Sequence, residues 1–276
     1  MTPDIRLIAL DMDGTLLDAD HSTIPPRNLN ALRAAAAKGV HIAIATGRSW
    51  SLVQETAQTL GCVSYGITAN GALALDTVGE TPLVKFPMDP RQCVEIIRTL
   101  RRHGLYYELY VDGRNYMQAD ELEGAREFCL SDSFYEMFRR HVILQPDMEL
   151  FAAETQPEKF DIFYVDADKR AAVVNELLST GPLEVTGALQ TNLELTARGV
   201  NKGRALAALA DKLGLDASQV MAFGDADNDL EMLAWAGWSF AMENGTDQAK
   251  AAAKFITERN SEGGVGIAVE KYCVFH

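Results

Sequence analysis

The chain has 276 residues, 47% of them hydrophobic, and a formal net charge of −14 at pH 7. That is enough apolar material for one large domain or two ordinary ones, and the acid excess, with no Lys/Arg-rich run to reverse it locally, argues against nucleic acid and anionic membranes as partners. No apolar stretch reaches the roughly 18 residues of a membrane span and the first residues show no secretory signal, so a cytoplasmic location is expected.

In chain order, the apolar run 5–10 reads as a strand buried on both faces of a parallel sheet. A polar turn follows, then a helix over 26–38 with Leu29, Leu32 and Ala36 on one side, Gly39 at its end, and a second apolar strand over 40–45. From 83 to 195 the texture changes. Cys93, Ile96, Ile97 and Leu100 mark one amphipathic helix, Ala171, Val174, Leu177 and Leu178 mark another, and 159–165 and 193–196 read as strands, which predicts an inserted α+β domain. The α/β pattern then returns. Leu206, Leu209, Ala210 and Leu213 lie at helical spacing, and strand 220–223, helix 229–236 and strand 238–242 follow. The fold class is therefore a doubly wound, Rossmann-like α/β core of residues 1–82 and 196–276 with an α+β insertion of residues 83–195. Cys62, Cys93, Cys129 and Cys273 show neither metal nor disulfide spacing and are expected to be buried thiols.

Ligands of an open parallel sheet bind beyond the carboxyl ends of its strands, so the informative residues follow each apolar run. They are Asp11-Met12-Asp13-Gly14-Thr15, Thr46-Gly47-Arg48, the single Lys202, and Gly224-Asp225-Ala226-Asp227-Asn228-Asp229. Two acids one residue apart at a strand end, with Asp225 from another strand, offer hard oxygens to a magnesium ion. Asp11 can attack a phosphoryl group, Asp13 can act as general acid and then base, and Thr46 and Lys202 can bind phosphate oxygens. A calcium loop is excluded at both acidic turns. Leu16 and Leu230 stand where the obligatory glycine belongs, and Ser22 and Ala236 where the bidentate glutamate belongs.

Together, D-M-D-G-T-L-L, A-T-G-R, the lysine of N-K-G and G-D-A-D-N-D resemble the four motifs of the haloacid dehalogenase superfamily. The place of the insertion and the segment Thr68-Ala69-Asn70-Gly71-Ala72 make the chain similar to Cof-type phosphatases with a large α/β cap. The resemblance covers residues 4–82 and 196–272. It implies Asp11 as nucleophile, Asp13 as acid/base, and magnesium held by Asp11, Asp13, Asp225 and Asp229. The implied phosphate- or substrate-binding set is Thr46, Gly47, Arg48, Asn70, Lys202 and Asn228, with a loop-fixing salt bridge as the other reading of Arg48. Glu243 departs from the A-M-G-N-A pattern of many relatives and places an extra acid near the site. The expected activity is magnesium-dependent hydrolysis of a small phosphorylated metabolite, a sugar phosphate or a cofactor phosphate such as FMN or PLP, with the cap choosing the substrate. A phosphomutase on the same scaffold and a non-enzymatic metabolite sensor are the alternatives.

Overall fold

The computed structural model describes residues 3–128, 132–187 and 191–274, so Cys129 lies outside the described residues. The chain forms two units, one of residues 1–48, 53–84 and 201–276, the other of residues 49–52 and 85–200.

The strands are β1 (Leu7–Leu10), β2 (His41–Ala45), β3 (Tyr65–Thr68), β4 (Leu73–Asp76) and β5 (Thr81–Lys85); then β6 (Tyr107–Val111), β7 (Arg114–Gln118), β8 (Ile143–Gln145), β9 (Lys159–Ile162), β10 (Leu183–Thr186) and β11 (Leu193–Ala197); and finally β12 (Val220–Gly224), β13 (Trp238–Met242) and β14 (Phe255–Thr257). The first unit holds an eight-stranded sheet of order β14-β13-β12-β1-β2-β3-β4-β5. Its first six strands run parallel, and β4 returns antiparallel to β3. Every residue of β1 is fully buried, as the unbroken apolar run requires. Leaving β1, the chain goes to β2 on one side, while β12 pairs on the other, so the order reverses at β1, the place where open α/β sheets bind ligands at the carboxyl ends of their strands.

Two helix faces differ from their sequence expectation. The helix Pro26–Ala37 buries Asn28, Ala31, Leu32 and Ala35 rather than a stripe through Leu29 and Ala36. Alanine-rich sequence scarcely distinguishes neighbouring stripes, and Asn28 is drawn inward because its amide donates to the Leu16 carbonyl at 3.2 Å and its oxygen accepts from Gly266 N–H at 2.8 Å. In the helix Ala167–Ser179 the buried residues are Val173 and Leu177, and Ala171 and Leu178 are exposed. Of the cysteines, Cys93 is buried, whereas Cys62 and Cys273 are only partly covered. Among the described residues no helix is long and apolar enough to cross a membrane.

The second unit is a six-stranded sheet of order β10-β11-β9-β6-β7-β8. One face carries Leu109, Phe160, Ile162, Leu193 and Leu195, packed in a core with Ile96, Ile97 and Leu100 of the helix Pro90–Arg102 and Leu177 of Ala167–Ser179. The alternate residues are polar. Glu108 stands opposite Asp161, and Asp161 opposite Glu194. Buried Lys159 bonds Glu194 at 2.8 Å, Tyr110 donates to Glu108 at 2.9 Å, and Asn115 donates to the other Glu108 oxygen.

Burial, reinforced by the Asp161 charge and opposed by the Asn115 and Tyr110 hydrogen bonds, pushes Glu108 up to about 8; burial likewise pushes Glu158 up to about 7, against the pull of Lys85. A native acid whose pKa is raised keeps a proton that the unfolded chain releases, so its contribution is whole below about pH 4.5 and is lost as pH rises toward 8. The urea midpoint is therefore expected to fall between about pH 5 and 8, and to fall less in Glu108→Gln. An equal fall in both proteins would remove Glu108 as the cause.

Candidate active site

Register brings the site together. Leu10 pairs with Ile44 of β2 and with Phe223 of β12, so Asp11, Thr46 and Asp225 emerge within a residue or two of each other at neighbouring strand ends. Asp11 N–H donates to the Phe223 carbonyl at 3.0 Å, and the chain then makes a wide turn closed by Leu16 N–H to Asp11 O and Leu17 N–H to Met12 O. Gly14 sits in this turn at φ +82°, and a Cβ there would lie 2.3 Å from the Asp225 carboxylate. Only glycine meets both demands.

Three asparagines brace the turn by donating to its outward carbonyls. Asn244 bonds Gly14 O at 2.8 Å, Asn28 bonds Leu16 O at 3.2 Å, and Asn260 bonds Leu17 O at 2.8 Å. Asn244 in turn accepts from Asn260 N–H at 3.0 Å. Glu243, expected to add an acid near the site, is exposed and paired with Arg259 at 2.9 Å; its neighbour Asn244 makes that loop's contact with the turn.

The centre is a buried ion cluster. Lys202 is fully buried, its Nζ 2.6 Å from Asp11 Oδ1 and 2.7 Å from Asp229 Oδ1. Asp229 Oδ2 accepts from the N–H groups of Asp225 and Ala226 at 3.0 and 3.1 Å, and Thr15 Oγ1 donates to Asp225 Oδ1 at 2.8 Å. Lys202 opens the helix Lys202–Lys212, where the helix dipole disfavours a cation, so the two carboxylates must offset both that field and the desolvation of the ammonium. The close approach depends on Gly71, at φ +97°, whose missing Cβ would fall 2.3 Å from the Asn201 carbonyl.

Burial pushes the Asp11 carboxyl well above its usual range, with the Asp229 and Asp225 charges adding to the rise and Lys202 opposing it. Burial raises Asp225 to about 6 despite the Thr15 hydrogen bond. Burial alone would lower Lys202, but Asp11 and Asp229 outweigh it and keep the ammonium charged. Carboxylate oxygens of Asp11, Asp225 and Asp229 lie within 4.8 Å of one another, so three acids face one cation in a set that suits a hard divalent ion. Asp229 already has both oxygens engaged by Lys202 and two amides, which leaves Asp11 and Asp225 as the better ligands. The ion would offset the cost of keeping both ionised.

The other expected residues are distributed around this cluster. Asp13 directs its carboxylate to Arg48, with Oδ1 2.7 Å from Nη2 and Oδ2 3.1 Å from Nε, so its side chain is not one of the three converging acids and Arg48 forms a salt bridge with it. Thr46 is buried at the end of β2, its Oγ1 accepting from Arg48 N–H at 3.2 Å across half-buried Gly47. Asn70 is buried in a left-handed conformation and donates its N–H to Thr46 O at 3.1 Å. Asn228 is exposed in the short turn Asp227–Asp229, where Asp229 alone is buried. Thr15, Asn244 and His21, whose Nδ1 is 3.1 Å from Asp13 Oδ1, were not assigned roles from sequence.

Residues 8–269 match the family described as haloacid dehalogenase-like hydrolase. The chain is 34% identical, over 98% of its length and 96% of the relative's, to 5-amino-6-(5-phospho-D-ribitylamino)uracil phosphatase YcsE of Bacillus subtilis. It is 30% identical to YwtE of the same organism, which carries the same phosphatase name, over 97% and 98%. A haloacid dehalogenase-like hydrolase of Bacteroides thetaiotaomicron superposes with a TM-score of 0.82 at 25% identity, over 97% of this chain and 99% of that one.

Lys202→Met strands two buried carboxylates without their cation. The expected loss, read from urea unfolding, is about 3–5 kcal/mol near pH 8 and less near pH 5, where the stranded acids take up protons. An unchanged midpoint at both pH values would show that Lys202 does not hold the cluster together.

Proposed function

This chain belongs to the haloacid dehalogenase-like hydrolases, and on that footing we propose that it hydrolyses phosphate monoesters of small metabolites through a covalent phospho-aspartate on Asp11. Its phosphatase class rests on the family and on the relatives matched along their whole length. The observation that carries the mechanism is the buried cluster of Asp11, Lys202, Asp225 and Asp229 at the switch point of the sheet.

In this reading a carboxylate oxygen of Asp11 attacks phosphorus, the ester P–O bond breaks, and Asp13 protonates the departing alkoxide. Asp13 then removes a proton from water, whose oxygen attacks the same phosphorus and releases inorganic phosphate and free Asp11. Lys202 and Thr46 hold the phosphoryl oxygens, and Asp229 fixes Lys202 while bonding the Asp225 amide. Asp11 and Asp225 would hold magnesium, which would supply the charge that lets two anions approach. We assign the choice of substrate to the inserted unit. The preferred class is a phosphorylated sugar or sugar alcohol, bare or joined to a heterocycle, because three relatives are named for a phosphoribitylamino-uracil.

Phosphate release from a panel of sugar phosphates, FMN, PLP and the phosphoribitylamino-uracil, with Mg2+ and with chelator, tests the reading. Metal-dependent release, reduced at least about a thousandfold in Asp11→Asn, is expected. Isomer interconversion without release would support a mutase, and undiminished release by Asp11→Asn would remove Asp11 as nucleophile. Mg2+ at about 100 times its Kd is expected to stabilise the fold by about 2.7 kcal/mol. Because protons compete for Asp11 and for Asp225, which is raised to about 6, the midpoint shift is expected to be larger near pH 7.5 than near pH 5. A shift independent of pH would contradict a site built on these acids.

A further inference from the structure

The Asp13 carboxylate is held from two sides. Arg48 takes both oxygens, and His21 approaches Oδ1 with Nδ1 at 3.1 Å. His21 adopts φ +55°, a left-handed conformation uncommon outside glycine and one in which Asn, Asp and His are the enriched side chains. The loop around it needs nothing from the imidazole. Asp18 N–H bonds Thr23 O at 2.8 Å, His21 N–H bonds Asp18 O at 3.0 Å, and the Asp20 carboxylate takes the N–H groups of Ser22 and Thr23 and the Thr23 hydroxyl. Nor is the ring a packing element, since the side chain is 65% exposed. A backbone closed by its own hydrogen bonds thus presents an otherwise solvated ring to one carboxylate.

We propose that His21 is a positioning residue for Asp13. The proposal rests on the reading of Asp13 as the group that moves the proton. Arg48 binds the carboxylate edge-on, and His21 bonds Oδ1 from the neighbouring loop, so the two together restrict rotation of the carboxyl group about its own axis and keep one oxygen directed at the place of the leaving alcohol. With His21 gone, Arg48 still retains the carboxylate but holds its orientation less tightly. The chemical step is then impaired while substrate binding is not, because His21 acts only through Asp13.

The test uses His21→Gly and His21→Asn. Glycine relieves the left-handed backbone and deletes the ring, so the variant is expected to melt at or above the wild-type temperature while kcat falls about tenfold at unchanged KM. Asparagine accepts the same backbone conformation and can donate an amide N–H to Asp13, so it is expected to recover part of the loss. In an Asp13→Asn background His21→Gly is expected to cost nothing further. Wild-type kcat in His21→Gly, a loss confined to KM, or an equal loss in the Asp13→Asn background would overturn the proposal. If wild-type protein releases no phosphate from any compound, it is the phosphatase reading that fails. Crystal structures of wild type and His21→Gly then decide the positioning role, a rotated Asp13 carboxylate supporting it and an unchanged one overturning it.

Discussion

An ammonium group with no access to water is tolerable only where ionic partners and hydrogen bonds replace its hydration, and Lys202 is in that position. Much of the first unit's local structure can be read as meeting this requirement. Asp11 must stand at the end of β1 and Asp229 in the turn after β12, each within 2.7 Å of one nitrogen. The helix bearing Lys202 must begin close enough to reach both, which is why the bare backbone of Gly71 faces the Asn201 carbonyl. Asp229 must not turn away, and two amides hold its second oxygen. The arrangement leaves Asp11 and Asp225 as costly carboxylates beside one cation, an imbalance that a divalent ion corrects.

The sheet accounts for how such a cluster is assembled from residues more than 200 positions apart. Parallel pairing in register between β1, β2 and β12 delivers three strand ends to one level, at the point where the strand order reverses. What the sheet cannot supply is rigidity in the turn after β1. Side chains from outside the turn supply it, Asn28, Asn244 and Asn260 each donating to one of its carbonyls. Under the proposed mechanism, Asp11 at the head of a turn held at this many points would lose little freedom on reaching its reactive geometry.

The α/β class, the insertion and the acid–lysine set were legible because each depends on local pattern. Apolar runs of strand length ending in acids announce both the sheet and the edge where the acids gather, as at Leu7–Leu10 followed by Asp11. Contacts decided by distant partners were not legible. Nothing near Arg48 states that its guanidinium meets Asp13, and nothing near Asn28 states that an asparagine lies on the inner face of its helix. The same limit explains Glu243, which reads as a site acid by proximity to a motif and instead pairs with Arg259 at the surface. The antiparallel return of β4 is likewise a tertiary choice, since its short apolar run carries no direction.

In the proposed mechanism everything turns on Asp11 carrying the phosphoryl group. Borohydride added during turnover reduces an aspartyl phosphate to homoserine, and peptide mass spectrometry locates the product. The account requires homoserine at position 11, formed only with substrate and magnesium present. Turnover with an unreduced Asp11, or homoserine at another position, would contradict it.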